Sequence, residues 1–170
     1  MDEKQLVLLA GGGDKDAFCA LYSLYKDKLY RYAFYRLKSK EDAEDAVSEA
    51  VISAFQQIGS LKKAEAFSAW IFRILYCSCN SIIKTNVNKR KLIEINSQGE
   101  TVSDFKDEIV KTELIEALES LKEEEREIVL LSVVSGLSSK EIAKICDLTS
   151  GAVRSKLSRS LSKMRKFLGD

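Results

Sequence analysis

The sequence predicts an all-α fold made of two small helical domains joined by a flexible linker. The 170-residue chain contains no proline and only 8 glycines, so long helices are permitted and a turn-rich β-sandwich is disfavoured. Its composition, 45% hydrophobic and 31% charged, is that of a folded chain. Apolar residues recur at spacings of three and four through most of the sequence, which is the periodicity of amphipathic helices.

Three helices are expected in the first domain, which we place at residues 1–85. Asp14 can cap the first helix after the glycine triplet. Ser39, with Asp42 three residues later, has the pattern of a capping box and opens the second helix. The second helix carries an apolar stripe formed by Ala43, Ala46, Val47, Ala50, Val51, Ala54, Phe55 and Ile58. The third helix is predicted from the positions of Phe67, Trp70, Ile71, Ile74, Leu75, Ser78 and Ile82.

The periodicity then fades through several asparagines and a short basic cluster, so we place the linker at residues 86–103. The second domain is expected at residues 104–170. It begins with helices around residues 107–121 and 123–135, and Gly136 stands where a left-handed residue would end the second of these.

A helix-turn-helix is predicted at the end of the chain. Ser138 and Glu141 form a second capping-box pattern, and Thr149 or Ser150 can cap a new helix only a few residues later. The motif needs a small residue in its first helix, a residue tolerant of positive φ in the turn and a β-branched anchor in its second helix. Ala143, Asp147 and Val153 stand at these three positions. Asp147 replaces the commoner glycine, and aspartate tolerates the left-handed region.

The last helix has two faces with different chemistry. Its buried stripe is expected at Val153, Leu157, Leu161, Met164 and Leu168. Arginines can contact guanine edges or phosphates, and small polar residues permit close approach to a DNA backbone. The predicted DNA-binding residues are Thr149, Ser150, Gly151, Arg154, Ser155, Ser158 and Arg159. A helical hairpin used only for packing is the alternative interpretation of this pattern.

Residue types that carry catalysis are missing from the sequence. There is no histidine, which excludes Ser-His-Asp and Cys-His nucleophiles, and the four cysteines do not have the spacing of a metal site. The glycine triplet is not followed by the Lys-Ser or Lys-Thr of a phosphate-binding loop. We therefore predict a protein that is not an enzyme and that has no metal and no cofactor.

The beginning of the chain does not have the features of a secretory signal, since Asp2 and Glu3 stand where a basic segment would be needed. No apolar run is expected to reach the roughly 20 residues that span a bilayer. A cytoplasmic protein with no membrane insertion of its own is the expectation.

Several segments together resemble bacterial RNA polymerase sigma factors of the extracytoplasmic-function (ECF) subfamily. In the second half these are LESLKEEEREIVLL at 118–131, GLS at 136–138, EIA at 141–143 and GAVRSKLSR at 151–159, which are similar to sigma region 4. In the first half, GDKDAF at 13–18, DAEDAVSE at 42–49 and FSAWIFRI at 67–74 are similar to sigma region 2. The resemblance implies an alternative sigma factor that binds core RNA polymerase and directs promoter recognition and transcription initiation.

The resemblance also implies roles for particular residues. Polymerase binding would fall to Asp45, Ser48 and Glu49, and the C-terminal helix would contact the −35 element of promoter DNA. Binding of the −10 element would fall to Lys62, Lys63, Arg73, Tyr76, Cys77 and Asn80. An inhibitory anti-sigma factor is a further implied partner. Cys77 departs from the asparagine usual in the family, which puts the preferred −10 base in doubt, and Lys122 departs from a frequent proline.

Two other functions remain open at this stage. A regulator that binds operators by itself would use the same helix-turn-helix, but it would need a dimer interface or a receiver domain. A purely structural helical adaptor would use the acidic helices as its binding surface, and would leave the basic C-terminal helix unexplained.

Overall fold

The structure, a computed structural model, describes the backbone of residues 1–96 and 109–169 and the side chains of residues 1–92 and 113–169. Throughout these residues the regular structure is helical, so the all-α prediction is confirmed. The chain divides into two compact units, Met1–Ser103 and Asp104–Asp170.

In residues 1–96, the described part of unit 1, four helices and two short 3₁₀ turns enclose one core. Its helices are α1 (Glu3–Gly11), α2 (Lys15–Leu37), α3 (Lys40–Gln57) and α4 (Phe67–Asn96), and the 3₁₀ turns are Ile58–Ser60 and Ala64–Ala66. Side chains cap three of the helices: Asp2, Asp14 and Ser39 each accept a hydrogen bond from the backbone N–H three residues on. The predicted starts of α2 and α3 are therefore correct.

Aromatic and aliphatic side chains from α2 and α4 fill the centre of unit 1. Tyr32, Phe67 and Phe72 are fully buried, and Tyr25 packs edge-on against Phe67 with ring centroids 5.2 Å apart. The small residues of α3, among them Ala46 and Ala50, are also fully buried and let that helix approach closely. This packing holds the outer faces of α3 and α4 in fixed positions.

Unit 1 differs from the sequence prediction in three places. Helix α1 was not predicted, although Asp2 and Gln5 form a complete capping box at its start. Helix α4 runs to Asn96, so the linker predicted at residues 86–103 begins inside a helix; residues 97–103 lie outside the described part of the chain. Phe55, predicted as buried, is 46% exposed, although its ring makes a T-shaped contact with Phe18, with ring centroids 5.2 Å apart.

Within the described residues, one helical segment, Ala64–Leu92, is long and apolar enough by length and composition to cross a membrane. The expectation that no segment would reach this length was therefore wrong. Such a segment is weak evidence of membrane insertion, because the core helix of a water-soluble domain passes the same test. Here the side chains of Phe67, Ile71, Phe72 and Leu75 are buried in the core of unit 1.

Within residues 109–169, the described part of unit 2, there are four helices, α5 (Ile109–Glu119), α6 (Glu123–Val133), α7 (Ser139–Cys146) and α8 (Ser150–Phe167). The residues predicted to end α6 and to begin α7 and α8 are correct. Gly136, just after α6, has a φ of 71°, and Ser138 and Glu141 form a complete capping box at the start of α7. Thr149, one of the two predicted caps of α8, accepts a hydrogen bond from the Ala152 N–H at 3.1 Å.

The joint between α7 and α8 has the geometry expected of a helix-turn-helix. Asp147 adopts a left-handed conformation with φ 57° and ψ 53°, and the N–H of Leu148 donates to the Ala143 carbonyl at 2.9 Å. Ile128 of α6, Ile142 of α7 and Val153 of α8 are all fully buried, and the three helices contact one another. The three helices therefore share one small core, from which α8 presents its opposite side to solvent.

The buried face of α8 differs from the prediction at its end. Val153 and Met164 are buried and Leu157 and Leu161 are half-buried, but Leu168 is 46% exposed. Leu168 is the residue that caps the helix, so it does not continue the periodic face. Ser160, which was not predicted to be in the core, is fully buried.

Candidate nucleic-acid interface and partner-binding surface

The outward face of α8 brings together the residues predicted to bind DNA. Thr149, Gly151, Arg154, Ser155, Ser158 and Arg159 are exposed, and Ser150 is half-buried. Four of them surround one shallow depression: Arg154, Ser155, Ser158 and Arg159. Two guanidinium groups beside two short hydroxyls form a surface with hydrogen-bond donors for phosphates and base edges.

The basic residues of α8 do not all lie on this face. Lys156 forms an ion pair with Glu124 at 2.8 Å, and Lys163 forms one with Glu125 at 3.1 Å. Both lysines therefore bind the acidic first turn of α6 inside unit 2. The sequence contained the signal, an acidic run in α6 and a basic run in α8, but it did not show that the two runs meet.

The predicted polymerase-binding residues lie together on the outside of unit 1. Asp45, Ser48 and Glu49 are all exposed on α3, on the side opposite the buried residues Ala46 and Ala50. At the N-terminal end of the same helix, Asp42 accepts a hydrogen bond from the Asn86 amide at 2.9 Å and links α3 to α4. The acidic face is therefore carried on a helix that is fixed at its start.

Two exposed apolar residues, Ile52 and Phe55, extend the acidic face of α3, and neither was predicted to lie on it. Ile52 is 60% exposed and follows Ser48 and Glu49 at helical spacings of four and three. Phe55, three residues further, is partly exposed as described above. The surface of α3 is thus acidic toward its beginning and apolar toward its end. The signal was present in the sequence, because Ile52 lies off the predicted buried stripe.

The residues predicted for the −10 element fall into separate groups. Arg73 and Cys77 are exposed on α4 and line a groove between α3 and α4 that also includes Glu49 and Trp70. Lys62 and Lys63 are both exposed in the segment between the two 3₁₀ turns.

Tyr76 and Asn80, the remaining residues of this set, are both contacted by Arg36 at the end of α2. The Arg36 guanidinium lies 4.8 Å from the centre of the Tyr76 ring, donates to the Tyr76 carbonyl at 3.2 Å and also donates to the Asn80 side chain. Arg36 was not among the residues predicted for this site. Its partners are 40 and 44 residues away in the chain, so no local pattern indicated the contact.

These features define a class of protein: a helical chain of two units, one of which carries a helix-turn-helix with a basic outward face. Among the residues that the structure describes, no group of three or more histidine, cysteine or acidic side chains could hold a metal ion. Nucleic-acid recognition is the chemistry that this surface supports.

Comparison with known proteins identifies the family within that class. The model of sigma-70 region 2 matches residues 21–85, and the model of sigma-70 region 4 matches residues 111–164. The ECF RNA polymerase sigma factor BldN of Streptomyces coelicolor is 28% identical, over 98% of this chain and 66% of its own length. The ECF RNA polymerase sigma factor SigW of Bacillus subtilis is 28% identical, over 93% of this chain and 92% of its own length.

Two solved structures share the fold. CnrH, in complex with the cytosolic domain of CnrY, has a TM-score of 0.74 and 21% identity, covering 98% of this chain and 96% of its own. The sigma factor RpoE of Bartonella quintana, in complex with the anti-sigma factor NepR, has a TM-score of 0.73 and 24% identity, covering 91% and 98%.

The chain belongs to the ECF RNA polymerase sigma factors, as the resemblance of its sequence implied. Members of this family are alternative sigma factors, which bind RNA polymerase for promoter recognition and transcription initiation. They are transcription regulators rather than enzymes.

Proposed function

We propose that this chain binds core RNA polymerase through unit 1 and directs it to promoters that unit 2 recognises at the −35 element. The observation that carries the proposal is the outward face of α8, where Arg154, Ser155, Ser158 and Arg159 surround one depression at the exposed side of a helix-turn-helix. In such motifs the N-terminal part of the second helix contacts base edges. Arg154 is accordingly assigned to base contacts, and Arg159, five residues further on, to the phosphate backbone.

Unit 1 has two proposed roles. In the first, Asp45, Ser48 and Glu49 contact the polymerase. The support for this role is that all three are exposed on α3, whose opposite side is buried in the core. Lys62, Lys63, Arg73, Tyr76, Cys77 and Asn80 contact the melted −10 element. For this second role the support is the exposure of both lysines and the shared position of Arg73 and Cys77 in the groove between α3 and α4.

An anti-sigma factor is the proposed inhibitory partner. RpoE of Bartonella quintana was solved in complex with the anti-sigma factor NepR, and it shares the fold of this chain. Exposed polymerase-binding and DNA-binding surfaces are what such a partner would cover. We also propose that the chain acts in the cytoplasm, where the transcription machinery lies, and that it carries out no catalysis of its own.

Run-off transcription with and without bacterial core polymerase tests the function. Transcription that requires both the chain and the core enzyme is the expected result. The free chain should bind duplex DNA weakly, because one short helix offers few phosphate contacts. Tight, sequence-specific binding by the free chain at physiological salt would instead identify an operator-binding regulator. Binding to neither polymerase nor DNA would identify a structural adaptor.

A further inference from the structure

Helix α8 is held against α6 along one edge by polar contacts. Lys156, Ser160 and Lys163 are separated by four and three residues, so they lie in one row along the helix. All three contact the acidic first turn of α6, through Glu124 or Glu125. The row borders the buried stripe and lies away from the face that carries Arg154 and Ser158.

Glu125 is the centre of this contact. One of its carboxylate oxygens accepts from the Lys122 backbone N–H at 3.1 Å and so caps α6. Its other oxygen lies 3.1 Å from the Lys163 ammonium and 3.2 Å from the Ser160 hydroxyl, whose nearer acceptor is the Lys156 carbonyl at 2.6 Å. The Glu125 side chain is only 13% exposed, whereas that of Glu124 in its pair with Lys156 is 48% exposed. The lysines differ in the opposite sense, since Lys163 is 54% exposed and Lys156 is 31% exposed. It is therefore the Glu125 carboxylate, and not the ion pair as a whole, that is shielded from water.

We propose that Glu125 is a positioning residue, which fixes the rotation of α8 about its axis and thereby directs the recognition face toward DNA. The inference rests on the proposed function of α8. Apolar contacts such as those of Val153 and Met164 are not directional, whereas hydrogen bonds have a narrow range of distance and angle. The Glu125 carboxylate is also hydrogen-bonded to the backbone at the start of α6. Its contacts with α8 therefore restrict how far α8 can rotate relative to α6.

The geometry shows why such a constraint matters. A helix with its side chains is about 10–12 Å across, so a rotation of roughly 20° moves an outer side-chain atom by about 2 Å. A shift of that size exceeds the distance range of a hydrogen bond. Loss of the constraint would therefore change which bases Arg154 can contact, while α8 stayed folded on its apolar stripe.

The test compares Glu125→Gln with the control Glu123→Gln in the full chain. Glutamine keeps one oxygen, which can still cap α6, but its NH2 group takes the place of the oxygen that faces Ser160 and Lys163, so the ion pair with Lys163 is lost. The control removes the same charge from an exposed position in the same helical turn. Each variant, with bacterial core polymerase, transcribes a pool of templates with randomised −35 and −10 elements, and the transcripts are sequenced.

We expect Glu125→Gln to change the ranking of −35 sequences, with at least a fivefold loss of preference for those that the parent favours. Lys163→Gln should give the same change, and the double variant should add nothing to either. The control should keep the parent ranking. An unchanged ranking, or an equal loss on every template, would overturn the proposal.

Hydrogen exchange measured on the free chain gives a second readout that does not require transcription. In Glu125→Gln, amides of α8 around Ser160 and Lys163 should exchange about fivefold faster than in the control, with α7 unchanged. If the parent supports no transcription with core polymerase, the proposed function fails and this measurement alone decides the role of Glu125. Equal exchange of α8 in the two variants would overturn it.

Discussion

Replacing Val153 with aspartate should unfold unit 2 and leave unit 1 folded. Val153 is fully buried at the joint of the helix-turn-helix. The substitution removes about 1.5–3 kcal/mol of apolar burial and places a carboxylate where an unpaired charge costs several kcal/mol more. A single core in a domain of this size rarely supplies more than about 3–5 kcal/mol. The cost therefore exceeds the stability available to unit 2.

The chain carries a convenient probe for this experiment, because Trp70 is its only tryptophan and lies in unit 1. In Val153→Asp, the unfolding transition of unit 1, followed by the fluorescence of Trp70, should occur at the same temperature as in the parent. The helical signal in far-ultraviolet circular dichroism should fall by the share that α5–α8 contribute. Arg154→Ala, at the neighbouring exposed position, is the matched control and should stay within about 0.5 kcal/mol of the parent. A cooperative melt of Val153→Asp with full helicity would refute the burial argument.

Three further outcomes are expected. Arg154→Ala should reduce discrimination among promoters varied singly across the −35 element by about 1–3 kcal/mol. Arg159→Ala should instead weaken binding to all of them alike and lower the slope of log affinity against log salt concentration by about one. Identical profiles for the two variants would contradict these assignments. Reversing the charges of Asp45 and Glu49 should weaken binding to core polymerase in a pull-down without loss of helicity, and unchanged binding would remove this face from the interface. Burial raises the pKa of Glu125, but hydrogen bonds from the Lys122 N–H, Lys163 and Ser160 outweigh it and hold that pKa below its usual range. The ionised carboxylate therefore stabilises the folded state. This stabilisation is complete above the usual pKa of glutamate and is lost as the pH falls through the lower pKa of the folded state. The melting temperature of Glu125→Gln should consequently fall less steeply with decreasing pH than that of the parent.

The features that sequence reasoning predicted correctly are those encoded locally. A cap is formed by residues three apart, so the starts of α2, α3, α7 and α8 could be inferred from residue type and spacing. The left-handed conformation of Asp147 followed from the same kind of evidence, since a short joint between two capped helices requires such a residue. Helix-turn-helix geometry is largely a product of these local signals.

The features that were missed depend on contacts between distant segments. Asn86 resembled the start of a loop, but its amide contacts Asp42 on a different helix and α4 continues past it. In the same way, Lys156 and Lys163 belong to the basic run of α8, and nothing in that run showed that they bind the acidic turn of α6. Polarity in a sequence shows that a side chain needs a partner, and it does not show which partner the fold supplies.

The pairing of charges within unit 2 bears on how a nearly neutral chain can select promoters. Affinity for any DNA rises with each phosphate that a free cation neutralises, so a strongly basic surface would hold the chain on random sequence. The net charge is only +1, and two lysines of α8 are bound by glutamates of α6. What remains on the recognition face is a small set of donors around Arg154 and Arg159, which favours sequence discrimination over general affinity. If this face recognises DNA as proposed, we expect tight promoter binding to require the additional contacts of the polymerase.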